Sequence, residues 1–230
     1  MPRSTSFTTP MTPYGQSVRG VPLRAWIPAI ECRVLVLAGL HGEEPETTVI
    51  LSRALRSMAE PPRHSACILS ANPDGILQGT RGNANGVDLN RNFPTADWRP
   101  GTVPVRWHID EPEATLPIST GSAPFSEPET AALISLIDSL APRLIVALHA
   151  PLACVDDPQL SPTGRWLARE TRLPLVGDIG YPTPGSMGTW ARERAIPLIT
   201  WEFPRSSIEE LSRDSIPPLI GLLTGEAPGT

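Results

Sequence analysis

The sequence contains no lysine, so each of its 19 basic residues is an arginine. A lysine ammonium group is required by enzymes that form a Schiff base with their substrate or attach pyridoxal phosphate, and by Walker-type phosphate loops. The absence of lysine therefore excludes these three classes of protein.

Cysteine is scarce, and long apolar runs are missing. The three cysteines, Cys32, Cys67 and Cys154, are far apart and form no CxxC pair, which argues against a disulfide framework and against a thiolate zinc site. The longest aliphatic run, Val34 to Leu40, is much shorter than the roughly 18 residues of a membrane span. The amino terminus lacks the apolar core of a signal peptide. We therefore expect a cytoplasmic protein without a membrane partner.

Positive charge is also in deficit, because the sequence has 19 basic and 24 acidic residues and a net charge of −5. No arginine-rich run appears, so nucleic acid is not an expected partner. A hydrophobic fraction of 40% in 230 residues is enough for a folded core, and the length suits one catalytic domain over residues 1–230. Nothing in the sequence indicates an oligomeric state.

Short aliphatic runs alternate with helical patterns along the chain. We expect strands at 34–37, 66–69, 144–148 and 198–202, and helices at 44–58, 126–140, 163–170 and 186–194. This alternation favours an α/β fold, with a mostly parallel, doubly wound sheet and helices on both faces. A capping box is expected at Ser126 and Glu129, a turn at 72–75, and a long functional loop at 78–120.

Polar residues follow three of the expected strands. The sequence has four histidines, of which His41 comes after the first aliphatic run and His149 directly after the third. Glu202 ends the last run. Because ligands of such sheets bind beyond the carboxyl ends of the strands, we expect all three side chains at one edge.

His41 and Glu44 are three residues apart, a spacing that can bring an imidazole and a carboxylate to one ion. Alone the pair is a weak signal, because a loop histidine beside a helix-capping glutamate gives the same pattern. A third ligand from His149 would complete a His, Glu, His set with one position left for water. That set is typical of a catalytic zinc site.

The motifs of the chain, in their order, resemble those of the zinc carboxypeptidase family. They are HGEE at 41–44, RGNANGVDLNRNFP at 81–94, then His149, Tyr181 and Glu202, and the most specific stretch is 85–94. Residues 72–75, 126–130 and 151–154 narrow the resemblance to a bacterial branch that cleaves the γ-D-glutamyl to meso-diaminopimelate amide bond of murein peptides. The resemblance covers nearly all of the chain. It implies a zinc carboxypeptidase-like fold and a zinc metallopeptidase or amidase with a murein peptide substrate and one zinc per chain.

The resemblance also implies roles for the residues of the metal site. His41, Glu44 and His149 match the zinc ligands. Glu202 matches the general base that takes a proton from water and later delivers it to the leaving amine. Asp88 matches the carboxylate that accepts a hydrogen bond from the far nitrogen of a ligand histidine.

Substrate contacts follow from the same resemblance. Asn90 and Arg91 match the pair that holds the free carboxylate of the substrate, and Arg81 matches the arginine that stabilises the developing oxyanion. Tyr181 matches the mobile tyrosine on the substrate side of the site. Ala150 departs from the branch, which more often has aspartate after the histidine, and the fine substrate preference stays open.

Two other functions are compatible with these residues. The same ligands would serve a zinc-dependent acyl-amino-acid deacylase or another metallocarboxypeptidase, and the bond that is cleaved distinguishes them. A regulatory metal-binding module that has lost catalysis is a further alternative. Glu202 and Arg81 argue against it, because a site without activity needs neither.

Overall fold

The computed structural model describes residues 11–230, in which a central sheet lies between helices. The ten residues before them, which belong to the segment where no signal peptide is expected, lie outside the described residues. The strands are β1 (Thr12–Gln16), β2 (Pro22–Ala25), β3 (Val34–Leu37), β4 (Ser65–Ile68), β5 (Val103–Val105), β6 (Ala114–Leu116), β7 (Leu144–His149), β8 (Cys154–Asp156), β9 (Leu175–Val176) and β10 (Leu198–Glu202). The helices are α1 (Pro45–Ser57), α2 (Pro73–Gln78), α3 (Pro128–Leu140), α4 (Pro162–Thr171), α5 (Met187–Glu193) and α6 (Ile208–Thr224), and a 3-10 turn covers Leu89–Arg91.

The central sheet has six strands in the order β4-β3-β7-β10-β8-β9. Every neighbouring pair is parallel except β10 and β8, so the expectation of a mostly parallel sheet is confirmed. Strand β3 shows why the sheet is covered on both faces, because Val34 and Val36 enter one hydrophobic core and Leu35 and Leu37 the other. Residues of α1, α4 and α6 belong to the first core, and residues of α3 and α5 to the second.

The edge formed by the strand ends is fixed by the register of β7. Leu37 at the end of β3 pairs with Ala147, and Glu202 at the end of β10 pairs with His149. The sheet therefore places His149 of β7 and Glu202 of β10 side by side at the same edge.

The three cysteines are buried and free. None of the helices within residues 11–230 is long and apolar enough to cross a membrane.

The capping box expected at Ser126 and Glu129 is wrong. Helix α3 begins after Glu127, whose backbone N–H donates to Asn92 Oδ1 over 3.1 Å. The Glu129 carboxylate instead accepts from the backbone N–H of Val18 (3.0 Å). Partners that are distant in the sequence have replaced the local cap.

Several elements differ from the sequence expectations or were missed by them. Residues 72–75 do not form an isolated turn but begin α2, with the Asn72 side chain accepting from the N–H of Gly75 (2.9 Å). The 78–120 loop contains the antiparallel pair β5 and β6. The hairpin of β1 and β2, strand β8, the edge strand β9, and helix α6 were not expected. Helix α6 contains Pro217 and Pro218, which obscure its helical pattern.

Gly42 marks the closest approach between the loop after β3 and the start of α2. A methyl group on Gly42 would overlap the backbone of Gly75, so Gly42→Ala must push the two segments apart. We expect the free energy of unfolding to fall by roughly 1–3 kcal/mol, the usual cost of overpacking. Chemical denaturation measures this loss. Gly188→Ala is the control, because its methyl group would meet only one atom, at 3.8 Å, and stability should not fall. Equal effects of the two substitutions would contradict the close approach.

Candidate active site

His41 and Glu44 lie in the connection between β3 and α1. Glu44 is the residue at which α1 begins, and Pro45 occupies the first turn, where a missing N–H costs nothing. His41 Nδ1 is 2.7 Å from Glu44 Oε1, and only 2% and 4% of the two residues is exposed. The strand-to-helix connection thus brings the imidazole and the carboxylate together, as their spacing predicted.

His149, the last residue of β7, completes the cluster. Its Nδ1 lies 3.2 Å from Nδ1 of His41 and 3.1 Å from Oε2 of Glu44. One donor atom from each of the three residues lies within 4.8 Å of the other two. Two imidazole nitrogens and a carboxylate therefore converge on one point inside the protein.

Asp88 orients His41 from behind. Its Oδ1 accepts a hydrogen bond from His41 Nε2 (3.1 Å), which leaves Nδ1 as the ring nitrogen that faces Glu44 and His149. Burial would raise the pKa of Asp88, but the charges of Arg81 and His41 outweigh it and hold this pKa well below its usual range. Such a carboxylate fixes the tautomer of a ligand histidine and makes it a better metal donor.

The donor set fits a zinc ion. Two histidines and a glutamate with room for a fourth ligand are the donors of catalytic zinc sites, whereas structural zinc sites usually contain cysteine. The convergence of Nδ1 of His41 and Nδ1 of His149 is itself informative, because two imidazoles at this distance need a shared proton or a cation between them. Although burial opposes it, the carboxylates of Glu44 and Asp88 raise the pKa of His41 to about 9, so the surroundings favour positive charge.

Glu202 lies beside this cluster at the end of β10, between the buried Trp201 and Phe203, and is 8% exposed. Its Oε2 accepts from the backbone N–H of Leu152 (3.3 Å). Burial, followed by the charge of Glu44, raises the pKa of Glu202 to about 8. A carboxylate in these surroundings readily accepts a proton near neutral pH.

Arg81 is the cation that borders the cluster. Its Nε donates to Asp88 Oδ2 (2.8 Å), and its Nη1 donates to Glu43 Oε1 (3.0 Å) and lies 3.7 Å from Glu44 Oε1. The described residues provide no hydrogen-bond acceptor for Nη2. Two of the three guanidinium nitrogens thus fix the side chain, and the third is left for another group.

Asn90 and Arg91 lie in the 3-10 turn that follows Asp88. Asn90 Oδ1 accepts from the N–H of Met187 (2.9 Å), while Arg91 donates from Nη1 to the Asn90 carbonyl (2.7 Å) and from Nη2 to the Pro104 carbonyl (3.0 Å). Each terminal nitrogen keeps a second hydrogen. Arg91 is 2% exposed, and its buried Nε has no partner among the described residues.

Tyr181 and the other candidates line one cavity of about 580 Å³. Burial raises the pKa of Tyr181, and Arg91 lies close enough to oppose that rise. The cavity brings together all the expected site residues except Asp88, which lies behind His41. These lining residues are His41, Glu44, Arg81, Asn90, Arg91, His149, Tyr181 and Glu202.

Sequence reasoning missed two groups around the site. Arg106 lines the cavity with its guanidinium group over the ring of Tyr181. Asn83 stabilises the loop before Asp88, because its Oδ1 accepts from the N–H of Val87 (3.2 Å) and its Nδ2 donates to the buried Glu127 (2.8 Å). Asn83 stood within the recognised 81–94 stretch, whereas no pattern in the sequence marked Arg106.

Comparison with known proteins finds one matching family model, and it finds relatives among murein peptide amidases and carboxypeptidases. The zinc carboxypeptidase family model (Peptidase_M14) matches residues 11–153. The murein peptide amidase A of Escherichia coli is 45% identical over 213 residues, which are 91% of this chain and 88% of that protein. The murein peptide amidase A of Vibrio campbellii is 45% identical over 224 residues, 96% of this chain and 90% of that one.

The solved structures that resemble this chain include both an amidase and a carboxypeptidase. The crystal structure of the murein-tripeptide amidase of Escherichia coli O157 has a TM-score of 0.89 and 42% identity, and the match covers 96% of this chain and 94% of that one. The carboxypeptidase A of Helicoverpa armigera has a TM-score of 0.73 at 18% identity, over 96% of this chain and 68% of that one, and is similar in fold alone.

The first prediction from this geometry concerns the metal. His149→Ala removes one of three ligands, so we expect zinc to fall well below one ion per chain after dialysis against low free zinc. Elemental analysis of the purified protein measures the ratio. His108→Ala is the matched control, because the side chain of His108 is 44% exposed and lies outside the cluster, and this variant should keep a full equivalent. Full zinc content in both variants would show that the metal binds elsewhere.

Proposed function

The chain belongs to the zinc carboxypeptidase family, and we propose that it hydrolyses the γ-D-glutamyl to meso-diaminopimelate amide bond of murein peptides. The observation that carries this proposal is the coincidence of two facts. A buried His, Glu, His cluster opens with Glu202 onto a cavity, and the same chain is similar over nearly its whole length to proteins that are murein peptide amidases.

The metal-binding residues are His41, Glu44 and His149, which hold one zinc ion per chain. When bound, zinc polarises the scissile carbonyl and makes water a stronger nucleophile at neutral pH. Asp88 keeps His41 in the tautomer that presents Nδ1 to the metal. All four side chains are buried, and the contacts among them hold them in place before substrate enters.

Glu202 moves the proton. It accepts a proton from the attacking water as the carbon–oxygen bond forms, and it returns that proton to the diaminopimelate nitrogen as the amide bond breaks. The products are a free carboxylic acid and a free amine, and no covalent intermediate with the protein is needed. The N–H of Leu152 holds the carboxylate in place for both transfers.

Arg81 stabilises the developing charge. Its bonds to Asp88 and Glu43 fix the guanidinium group at the border of the cluster, and Nη2 is the donor that they leave for the carbonyl oxygen of the substrate. A donor held before the reaction starts stabilises the transition state without the cost of reorganisation.

Asn90, Arg91 and Tyr181 recognise the substrate. The second hydrogens of the Arg91 terminal nitrogens can donate to the free carboxylate on the diaminopimelate side, and Tyr181 lines the same cavity. Binding a terminal carboxylate beside the metal places one amide bond at the catalytic groups.

The proposed setting is the cytoplasm, where such an enzyme would act on peptides released from the cell wall. The three buried cysteines without disulfides support a reducing compartment. The catalytic domain is proposed to extend over residues 1–230.

Assay of the zinc-loaded protein on a murein tripeptide tests the function. We expect release of diaminopimelate, loss of activity with a chelator, and recovery when zinc is added back. Simple acyl-amino acids are the comparison substrates. Faster cleavage of these than of the tripeptide would favour a deacylase and contradict the proposal.

A second test addresses the role of Glu202. Glu202→Gln keeps the size of the side chain but cannot accept a proton, so we expect kcat to fall by about 100- to 10,000-fold, the usual contribution of a general base. Zinc content and thermal stability, measured on the same preparation, should match the wild type. Turnover within threefold of the wild type would assign the base to another residue.

A third test addresses the carboxylate clamp. Arg91→Lys keeps the charge but loses the planar fork, so kcat/KM on the free-acid tripeptide should fall by roughly 10- to 100-fold. The same substitution should have a much smaller effect on a tripeptide whose diaminopimelate α-carboxylate is amidated, because that substrate cannot use the fork. Steady-state kinetics on both substrates gives the comparison. Equal losses would show that Arg91 supports the loop and does not bind the carboxylate.

A further inference from the structure

Tyr181 reaches the cavity from an irregular segment, residues 177–183, that joins β9 to α5. Within the segment the N–H of Gly180 donates to Asp178 Oδ1 over 2.7 Å. This bond shapes the turn but does not attach it to the rest of the protein. A tyrosine that covers a substrate needs an attachment, because a free segment would lose conformational entropy each time it closed.

Arg106, the residue after β5, supplies this attachment. Its Nη1 donates to the carbonyl of Ile179 (3.0 Å), and its Nη2 donates to the carbonyl of Gly180 (3.3 Å). A longer bond joins Nη1 to the carbonyl of Ile109 on its own side (3.4 Å). The guanidinium carbon lies 5.2 Å from the centre of the Tyr181 ring, within the range of a cation–π contact.

Gly180 permits this close approach. Its φ of +80° is favourable for glycine, and a methyl group there would lie 3.3 Å from Nη1 of Arg106. Strand β5, which directly precedes Arg106, also supports Arg91, since the Pro104 carbonyl accepts from its Nη2. Pro104 and Arg106 therefore contact both proposed substrate-binding residues from one short stretch of chain.

We propose that Arg106 is a positioning residue that holds residues 179–181 so that the Tyr181 ring covers the cavity next to Arg91. This assignment depends on the proposed function in one respect, because it takes the cavity as the place where the substrate binds. The planar guanidinium group bonds two carbonyls with its edge and stacks on the ring with its face. A lysine at this position could keep the charge but not both bonds.

A double-mutant cycle in the zinc-loaded enzyme tests the proposal. Arg106→Gln should lower kcat/KM on the murein tripeptide about 10-fold, mainly through a higher KM, and Arg106→Lys should lose less. Because Arg106 acts through Tyr181, the double variant with Tyr181→Ala should be no worse than Tyr181→Ala alone. Losses that multiply in the double variant would overturn the proposal and indicate that Arg106 binds the substrate itself.

Hydrogen exchange supplies a readout that does not depend on activity. In substrate-free, zinc-loaded protein, Arg106→Gln should speed exchange of the hydrogen-bonded Gly180 amide at least 10-fold and leave β7 unchanged. Arg99→Gln, which removes an exposed arginine from the same long loop, should change neither exchange nor kcat/KM. Unchanged exchange of the Gly180 amide in Arg106→Gln would overturn the proposal. If the wild type fails to cleave the tripeptide, the proposed function is wrong, and exchange still decides whether Arg106 holds the segment.

Discussion

One buried carboxylate, that of Asp88, joins the three functional parts of the site. Oδ1 accepts from His41 Nε2 and from the backbone N–H of Asn90 (2.8 Å), and Oδ2 accepts from Arg81 Nε. His41, Arg81 and the turn that carries Asn90 and Arg91 thus take their positions from a single group. An unpaired buried charge is strongly unfavourable, so none of these partners can move away without a large loss of stability.

The charge balance around this carboxylate explains why the cluster is suited to a divalent cation. Glu44, Asp88 and Glu202 are all buried, and Arg81 lies within 4 Å of Glu44 and Asp88. Burial lowers the pKa of His149, while the carboxylates of Glu44 and Asp88 raise that of His41, and a proton on His41 would compensate part of the negative charge. A divalent ion compensates it more fully and leaves both imidazoles neutral, as ligation requires.

The parts of the fold and the site that the sequence predicted are those with a local signal. His149 and Glu202 follow aliphatic runs that form buried strands, so their common edge could be predicted from a few neighbouring residues each. The hydrogen bond from the N–H of Glu127 to Asn92, just before α3, joins residues 35 apart in the chain, and the bond from Arg106 to Gly180 spans 74. No short window contains both partners, which is why the local capping box was the wrong interpretation and Arg106 was missed.

The site divides its residues between two kinds of support, and with the roles proposed above this division separates chemistry from recognition. His149 and Glu202 lie in paired strands, where a shift of register would move them together with the whole core. Arg91 and Tyr181 lie in loops and depend on individual polar contacts, to the Pro104 carbonyl for one and to Arg106 for the other. Such contacts can change one residue at a time while the sheet remains intact. The sheet therefore fixes which bond-breaking chemistry is possible, and the loops decide which peptide is presented to it.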